Sequence, residues 1–127
     1  MSRYIVIILL AMLCAGQLHA QNYKAQFDEA RRLFNEQQYR EAKDAFRALV
    51  ASSSKHSYGD YSSFFYGLTA YQQGQYKEAK DMWLQQSSRN ASWKQAEHVS
   101  WWLAAAHLKL GEYDRAGEYL KKVKSVV

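Results

Sequence analysis

The sequence predicts an all-α protein built of three helix–turn–helix repeats, and three observations support this prediction. Residues of the same kind recur at an interval of 37 positions along the chain. Within each interval the apolar residues are spaced three and four apart, as on one face of a helix. A short break, with Gly74 and Gly111 in two of the repeats, separates two helical stretches. Self-similarity at such a period is typical of a stacked array whose units bury their apolar faces against each other.

The recurring positions fall into chemical classes that suit close helix packing. Small residues let the two helices of a hairpin approach, and large residues fill the space between neighbouring hairpins. The tyrosines are Tyr39, Tyr76 and Tyr113; the small residues are Ala30, Gly67 and Ala104, then Ala42, Ala79 and Ala116; the aromatics are Phe27, Phe64 and Trp101; the large apolar residues are Phe46, Trp83 and Leu120.

The chain begins with a segment that we predict to be a secretory signal, residues 1–20. A basic start at Arg3 precedes twelve almost entirely apolar residues, and the segment ends at Ala20, which places cleavage before Gln21. Twelve apolar residues are too few for a membrane span, which needs about 20. A retained anchor, a lipidated Cys14 and a soluble start remain alternatives. Because Cys14 is the only cysteine, the mature chain would have no disulfide and no thiolate metal site.

Residues 21–127 are predicted to form one domain, with repeats at about 23–59, 60–96 and 97–127. The first hairpin has helical apolar spacing from Phe27 to Phe34 and again from Ala42 to Val50. In the second we expect helices at Phe64–Gln73 and Tyr76–Ser88. In the third, Ser92 and Gln95 are predicted to form a capping box, followed by a helix to Leu110 and a last helix at Tyr113–Ser125. Polar linkers are expected at Ser53–Gly59 and Ser87–Asn90.

Two stretches of the chain resemble the tetratricopeptide repeat. They are Gly67-Leu68-Thr69-Ala70-Tyr71 with Gly74-Gln75-Tyr76-Lys77-Glu78-Ala79, and Leu103-Ala104 with Leu110-Gly111-Glu112-Tyr113-Asp114-Arg115-Ala116. The first repeat matches less closely, with Gln37 at the glycine position. The family repeat has about 34 residues, against 37 here, and its closing proline is missing because the chain has no proline. The resemblance implies a short right-handed solenoid. The repeat length and export signal are similar to those of bacterial envelope members, namely outer-membrane assembly lipoproteins and the periplasmic partner of the Tol–Pal system.

In this family the first helix of each repeat lines a concave groove that binds a protein or peptide. The resemblance therefore implies an aromatic groove with basic ends, and the alternative is that the aromatics are hairpin core. The groove residues implied are Lys24, Phe27, Arg31, Phe34 and Asn35; Tyr61, Phe64, Leu68, Tyr71 and Gln72; and His98, Trp101, Ala105, Leu108 and Lys109. Chaperone-binding members use a lysine, asparagine and arginine constellation for a terminal carboxylate. Here the matching positions are Phe27, Arg31, Phe65, His98 and Trp102, which disfavours that mode.

The sequence predicts neither an enzyme nor a metal or cofactor site. His56, His98 and His107 have no second ligand on the same helix face, and we expect His107 in the core. A net charge of +5 without a clustered basic stripe predicts no nucleic-acid binding and at most peripheral membrane association.

The C-terminal segment carries Tyr119, Leu120 and Val123 on one face without a polar capping helix. Three interpretations stay open: self-association into a homo-oligomer, a covering partner, or an N-terminal fragment of a larger envelope protein.

Overall fold

The computed structural model describes residues 22–123, and six α-helices lie in that part of the chain. They are α1 (22–35), α2 (Tyr39–Ala51), α3 (Gly59–Gln72), α4 (Tyr76–Arg89), α5 (Ala96–Lys109) and α6 (Tyr113–Leu120), with a short 3₁₀ helix at Ser53–Lys55 between α2 and α3. Each helix from α2 onward packs on the next one in the chain. The predicted all-α array of three helical hairpins is confirmed. The predicted signal at residues 1–20 lies outside the described residues.

The turn inside each hairpin has the same backbone geometry. Gln37, Gly74 and Gly111 have φ of 62°, 76° and 75°, the left-handed conformation that commonly ends helices. The next backbone N–H in each turn donates to a carbonyl five residues earlier, at 2.9 Å in all three hairpins. Glycine adopts this conformation without a steric penalty, whereas Gln37 adopts it with a side chain. The 37-residue interval therefore reproduces the backbone conformation even where the residue type differs.

The core consists of two clusters in which small residues from one helix face a large ring from the next. Ala30 and Ala42 lie fully buried around Phe46, while Ala79 and Trp83 are fully buried in the other cluster. A methyl group on Gly67 would overlap the Trp83 indole, and the indole N–H donates to the Phe64 carbonyl at 3.2 Å. The predicted role of the recurring small residues, close approach within a hairpin, is therefore confirmed for the middle hairpin.

Several predicted element boundaries differ from the structure. Helix α3 begins at Gly59, five residues before the predicted start, and α4 continues through the predicted Ser87–Asn90 linker to Arg89. The predicted capping box at Ser92 is wrong because α5 begins only at Ala96 and no side chain caps it. The Ser92 hydroxyl instead lies 3.3 Å from the Asn90 side-chain oxygen. Helix α6 ends at Leu120 rather than Ser125, and Ser125 lies outside the described residues.

Candidate partner-binding surface

Neighbouring hairpins are joined by one aromatic side chain that inserts into a set of large residues on the preceding hairpin. Phe65 lies between Phe27, Phe34 and Phe46, which we name the first socket. Its ring centroid is 6.2 Å from that of Phe27, 5.6 Å from Phe34 and 5.4 Å from Phe46, and it stacks parallel to the last. Arg31 covers Phe65 from outside, with its guanidinium carbon 5.4 Å from the ring centroid. This aromatic contact fixes the second hairpin against the first.

The second socket consists of Phe64, Tyr71 and Trp83, each 37 residues beyond its counterpart in the first. Trp102, which is 37 residues beyond Phe65, lies 5.3 Å from the Tyr71 ring and 6.2 Å from the Trp83 ring. Phe64 is covered by Trp93 from the α4–α5 connection, at 6.3 Å. The interface between the second and third hairpins is thus built by the same rule as the one before it.

A lysine and a carboxylate add an ion pair to each of these two interfaces. Lys43 in α2 lies 2.7 Å from Glu78, and Lys80 in α4 lies 3.0 Å from Glu112. Burial alone would raise the pKa of Glu78, but hydrogen bonds from Lys43 and Tyr66 outweigh it and lower that pKa below its ordinary value. The hydrogen bond from Lys80 lowers the pKa of Glu112. Both carboxylates are therefore charged at neutral pH and hold their lysines in place.

The residues predicted to line the groove divide into three groups by exposure. Lys24, Arg31, His98, Trp101 and Lys109 are exposed, and so are Asn35, Gln72 and Leu108; Phe34, Tyr61, Phe64, Tyr71 and Ala105 are half-buried; Phe27 and Leu68 are buried. The accessible part of the predicted groove is therefore basic at both ends, with its largest exposed ring on the third hairpin.

Two of the predicted groove residues are corrected by their burial. Phe27 is enclosed by the rings of Phe46, Tyr58, Tyr61 and Phe65, so it belongs to the core between the first two hairpins. Leu68 lies in the second core cluster. Both residues share a helical face with exposed neighbours, and the face alone does not say how deep a side chain lies. For these two, core is the interpretation that the structure supports.

Half-buried Phe64 and Tyr71 have a structural role in addition to any contact with a partner. The Phe64 ring lies 6.5 Å from Trp83, and the Tyr71 ring lies 5.0 Å from Tyr76. Replacing either one would loosen the second socket as well as change the surface. Arg31 and Lys109 lie over the rings of Phe65 and Tyr76. Exposed Trp101 is therefore the better probe of binding, because its ring lines neither of the two filled sockets.

Sequence reasoning missed Phe65, Trp102 and the two interface lysines as the residues that join hairpins. The signal was present in the sequence, since Phe65 and Trp102 are 37 residues apart and so are Lys43 and Lys80.

His107, predicted in the core, is buried, with its ring stacked 5.3 Å from Tyr119 and Nδ1 3.2 Å from the Glu112 carboxylate. Within residues 22–123 no group of three or more His, Cys, Asp or Glu could hold a metal ion. In the same range, no helix has the length and apolar character of a membrane span.

Comparisons with known proteins agree with this architecture. Residues 98–126 match the model of the tetratricopeptide repeat. Among solved structures, the chain is similar to the crystal structure of the TPR domain of Arabidopsis FLU, with a TM-score of 0.71 and 18% sequence identity over 81% of this chain and 92% of that chain. No curated protein matches the sequence. The fold is that of a tetratricopeptide-repeat domain, as the sequence predicted.

Proposed function

We propose that this chain is a scaffold that binds a protein or peptide segment through the accessible side of α1, α3 and α5. The observation that supports this most directly is the row of exposed basic and aromatic side chains on the first helices. Arg31 stands on α1, and His98, Trp101 and Lys109 stand on α5. Domains with this fold generally serve as protein-interaction scaffolds rather than catalysts, and we assign this chain no reaction and no cofactor.

The physical basis of binding would be preorganisation. The hairpins are already fixed by the inserted rings of Phe65 and Trp102 and by the ion pairs of Lys43 and Lys80. A partner would therefore meet a surface whose helices need not be ordered on binding, which lowers the entropic cost of association. Trp101 offers a large rigid contact area, the property that makes tryptophan frequent among interface residues of high energetic weight.

The partner segment that suits this surface presents apolar side chains together with acidic ones. The charged residues exposed along the predicted groove are Lys24, Arg31 and Lys109, all basic, although the Lys24 amine is 2.8 Å from the Asp28 carboxylate. Complementary charge at such positions would raise the association rate and discriminate against basic partners. We therefore propose an acidic, apolar-containing protein segment.

We also propose that the chain works after export, in the periplasm or cell envelope. Support comes from the sequence of residues 1–20, with its basic start, apolar stretch and small residue at Ala20. Mass spectrometry of the chain from fractionated cells tests this part separately. A periplasmic form beginning at Gln21 is expected, and an uncleaved form in the cytoplasm would contradict export without affecting the binding proposal.

Binding is tested by photo-crosslinking from single introduced residues in living cells. A photoreactive phenylalanine is placed at Arg31 or at His98 on the proposed surface, and at Lys77 on α4 as the matched exposed control. We expect the first two positions to capture the same protein and Lys77 to capture none of it. Equal capture from Lys77, or capture of nothing from Arg31 and His98, would show that the first helices are not the binding surface.

A further inference from the structure

The third hairpin carries the same socket as the first two, but no residue in 22–123 fills it. The third socket consists of Trp101, Leu108 and Leu120, which follow the second socket by 37 residues. These side chains are 41%, 56% and 47% exposed, whereas Phe46 and Trp83, the counterparts of Leu120, are fully buried. Together with Ala104, Ala105 and Ala116 they line a cavity of about 260 Å³. Every residue that lines this cavity is apolar.

The two filled sockets show what kind of side chain fits the third. In each of them the occupant is an aromatic ring from the middle of a helix, Phe65 of α3 or Trp102 of α5. That helix packs across the second helix of the preceding hairpin, as α3 does on α2 and α5 does on α4. The third socket has large apolar residues at the same spacing, with leucine at two positions that are aromatic in the other sockets. A helix with one aromatic side chain is therefore the occupant that its construction favours.

A second copy stacked head to tail is a poor occupant for two independent reasons. The residue 37 positions before Phe65 is Asp28, and its carboxylate is 2.8 Å from the Lys24 amine. Such stacking would bury a carboxylate in an apolar cavity, which is strongly unfavourable. The second reason is Gly117, which stands where the other hairpins have Lys43 and Lys80. The third hairpin therefore lacks the lysine that pairs with the next hairpin in both internal interfaces.

A basic residue beside the third socket indicates the charge of its occupant. Lys121 directly follows Leu120 and is exposed, whereas the amine of Lys109, beside Leu108, lies over the Tyr76 ring of the preceding hairpin at 5.8 Å. Lys121 corresponds to Arg47, whose guanidinium lies over the Tyr66 ring of the following hairpin at 5.8 Å. A helix with an acidic residue beside its aromatic would pair with Lys121.

We propose that the third socket binds an acidic amphipathic helix of another protein, which inserts one aromatic side chain between Trp101, Leu108 and Leu120. This inference rests on the proposed function and names the anchor point of the partner. It places the strongest contact at the C-terminal face of the array, beside the groove rather than along it. The geometry of the inserted ring would be that of Phe65 and Trp102.

The probe for this site is a hydrocarbon-stapled helical peptide with one central tryptophan flanked by glutamates on an alanine background. The matched peptide has aspartate in place of tryptophan. Binding to the full chain is measured by fluorescence anisotropy. We expect the tryptophan peptide to bind at least tenfold more tightly than the aspartate peptide. We also expect Leu108→Glu to weaken the tryptophan peptide at least tenfold, while Lys77→Glu, at the exposed control position on α4, changes its affinity less than twofold.

Circular dichroism decides whether each variant is folded before it is used. If Leu108→Glu fails to fold, Ala105→Trp is used instead, because it fills the cavity without adding charge, and the same tenfold loss is expected. Unchanged binding in a folded socket variant would overturn the inference, as would equal binding of both peptides. Two other occupants would also overturn it: a second copy, shown by a Leu108-dependent dimer mass, and this chain's own residues 124–127, shown if the peptide binds only after their removal.

The outcome separates this inference from the proposed function. If Leu108→Glu leaves crosslinking from Arg31 intact and the peptide does not bind, the groove proposal stands and the socket inference fails. If the peptide binds through the socket but Arg31 and His98 capture nothing in cells, the socket inference stands and binding along the first helices fails. If the tryptophan peptide does not bind and Arg31 and His98 capture nothing, both proposals fail.

Discussion

The two ends of the described array differ in the polarity of their outer faces. At the N-terminal end, Arg32 of α1 pairs with Glu29 at 2.5 Å and with Glu36 at 2.6 Å, and Lys24 pairs with Asp28. At the C-terminal end, Leu108 and Leu120 stand exposed beside Trp101. A stacked array needs a polar outer face on its terminal units to stay soluble. The first hairpin has such a face, whereas the described part of the third hairpin keeps the apolar face of an internal unit.

Few residues distinguish each end of the array from an internal interface between hairpins. At the N-terminal end the inserted aromatic is replaced by Asp28, and at the C-terminal end the pairing lysine is replaced by Gly117. Glu41, which corresponds to Glu78, is still present on α2. Head-to-tail stacking is thus two substitutions away from the internal pattern. Exposed ion pairs such as Arg32–Glu36 contribute little to stability, so their main effect is to make the end polar.

The largest expected effect follows from restoring both missing residues. In Asp28→Trp/Gly117→Lys, the introduced tryptophan of one copy would enter the third socket of the next copy, and the introduced lysine beside that socket would face Glu41 of the first. We expect light scattering after size exclusion to show a mass that at least doubles and rises with concentration, while each single variant associates more weakly. Adding Leu108→Glu should return the chain to a monomer. A double variant that stays monomeric would mean that the third socket does not accept an aromatic from a helix of this kind.

A second prediction compares the same socket position when filled and when open. Phe46→Ala, at a fully buried position in the first socket, is expected to lower the free energy of unfolding by about 3–5 kcal/mol. Leu120→Ala, at the corresponding position of the third socket, should cost about 1 kcal/mol or less because the side chain is 47% exposed. Urea denaturation measures both. Leu49→Ala controls for residue type, since Leu49 is fully buried and should cost about 2–5 kcal/mol. Equal losses for Leu49 and Leu120 would show that the third socket is covered in solution.

The fold could be predicted from sequence because the repeat constrains it three times over. Each 37-residue interval independently places a helix, a left-handed turn and a second helix, so an error in one repeat is visible against the others. Gln37 is an example. It occupies the position that Gly74 and Gly111 occupy in the other two repeats, and it adopts the same left-handed φ although it is not a glycine. The presence of each helix was therefore predictable. The irregular segment before Ala96 was not, because its conformation depends on contacts of Trp93 with Tyr61 and Phe64 of another helix.

The candidate surface was predictable only in part, because a helical face does not reveal depth. Phe27 and Arg31 are one turn apart on α1, yet Phe27 is buried under the rings of the second hairpin and Arg31 is exposed. The difference depends on Phe65, a residue of another helix. The sequence indicated an uncapped apolar C-terminal end, but not that Trp101 and Leu108 lie exposed beside Leu120 there. The counterparts of these three residues in the first two hairpins are buried or half-buried, and the three are exposed because residues 22–123 contain no fourth hairpin to cover them.

The smallest expected effect concerns the turns of the two end hairpins. Gln37 is the only non-glycine residue with positive φ among residues 22–123, and that conformation costs a side-chain-bearing residue about 1–2 kcal/mol. Gln37→Gly removes the cost but gives the unfolded chain more freedom, worth about 0.4–1 kcal/mol in the opposite direction. We therefore expect a net gain of about 0.8 kcal/mol, the difference between these two effects, seen as a higher urea midpoint with unchanged slope.

The reciprocal change in the third hairpin tests whether the two turns are equivalent. Gly111→Gln should lower the midpoint by a similar or larger amount, because the turn has φ of 75° and a β-carbon added there has no heavy atom within 4 Å. Opposite signs in the two variants would show that backbone conformation alone sets the difference. A loss of stability in Gln37→Gly would instead mean that the Gln37 side chain stabilises the polar N-terminal end of the array. The first turn would then differ from the other two in more than its backbone conformation.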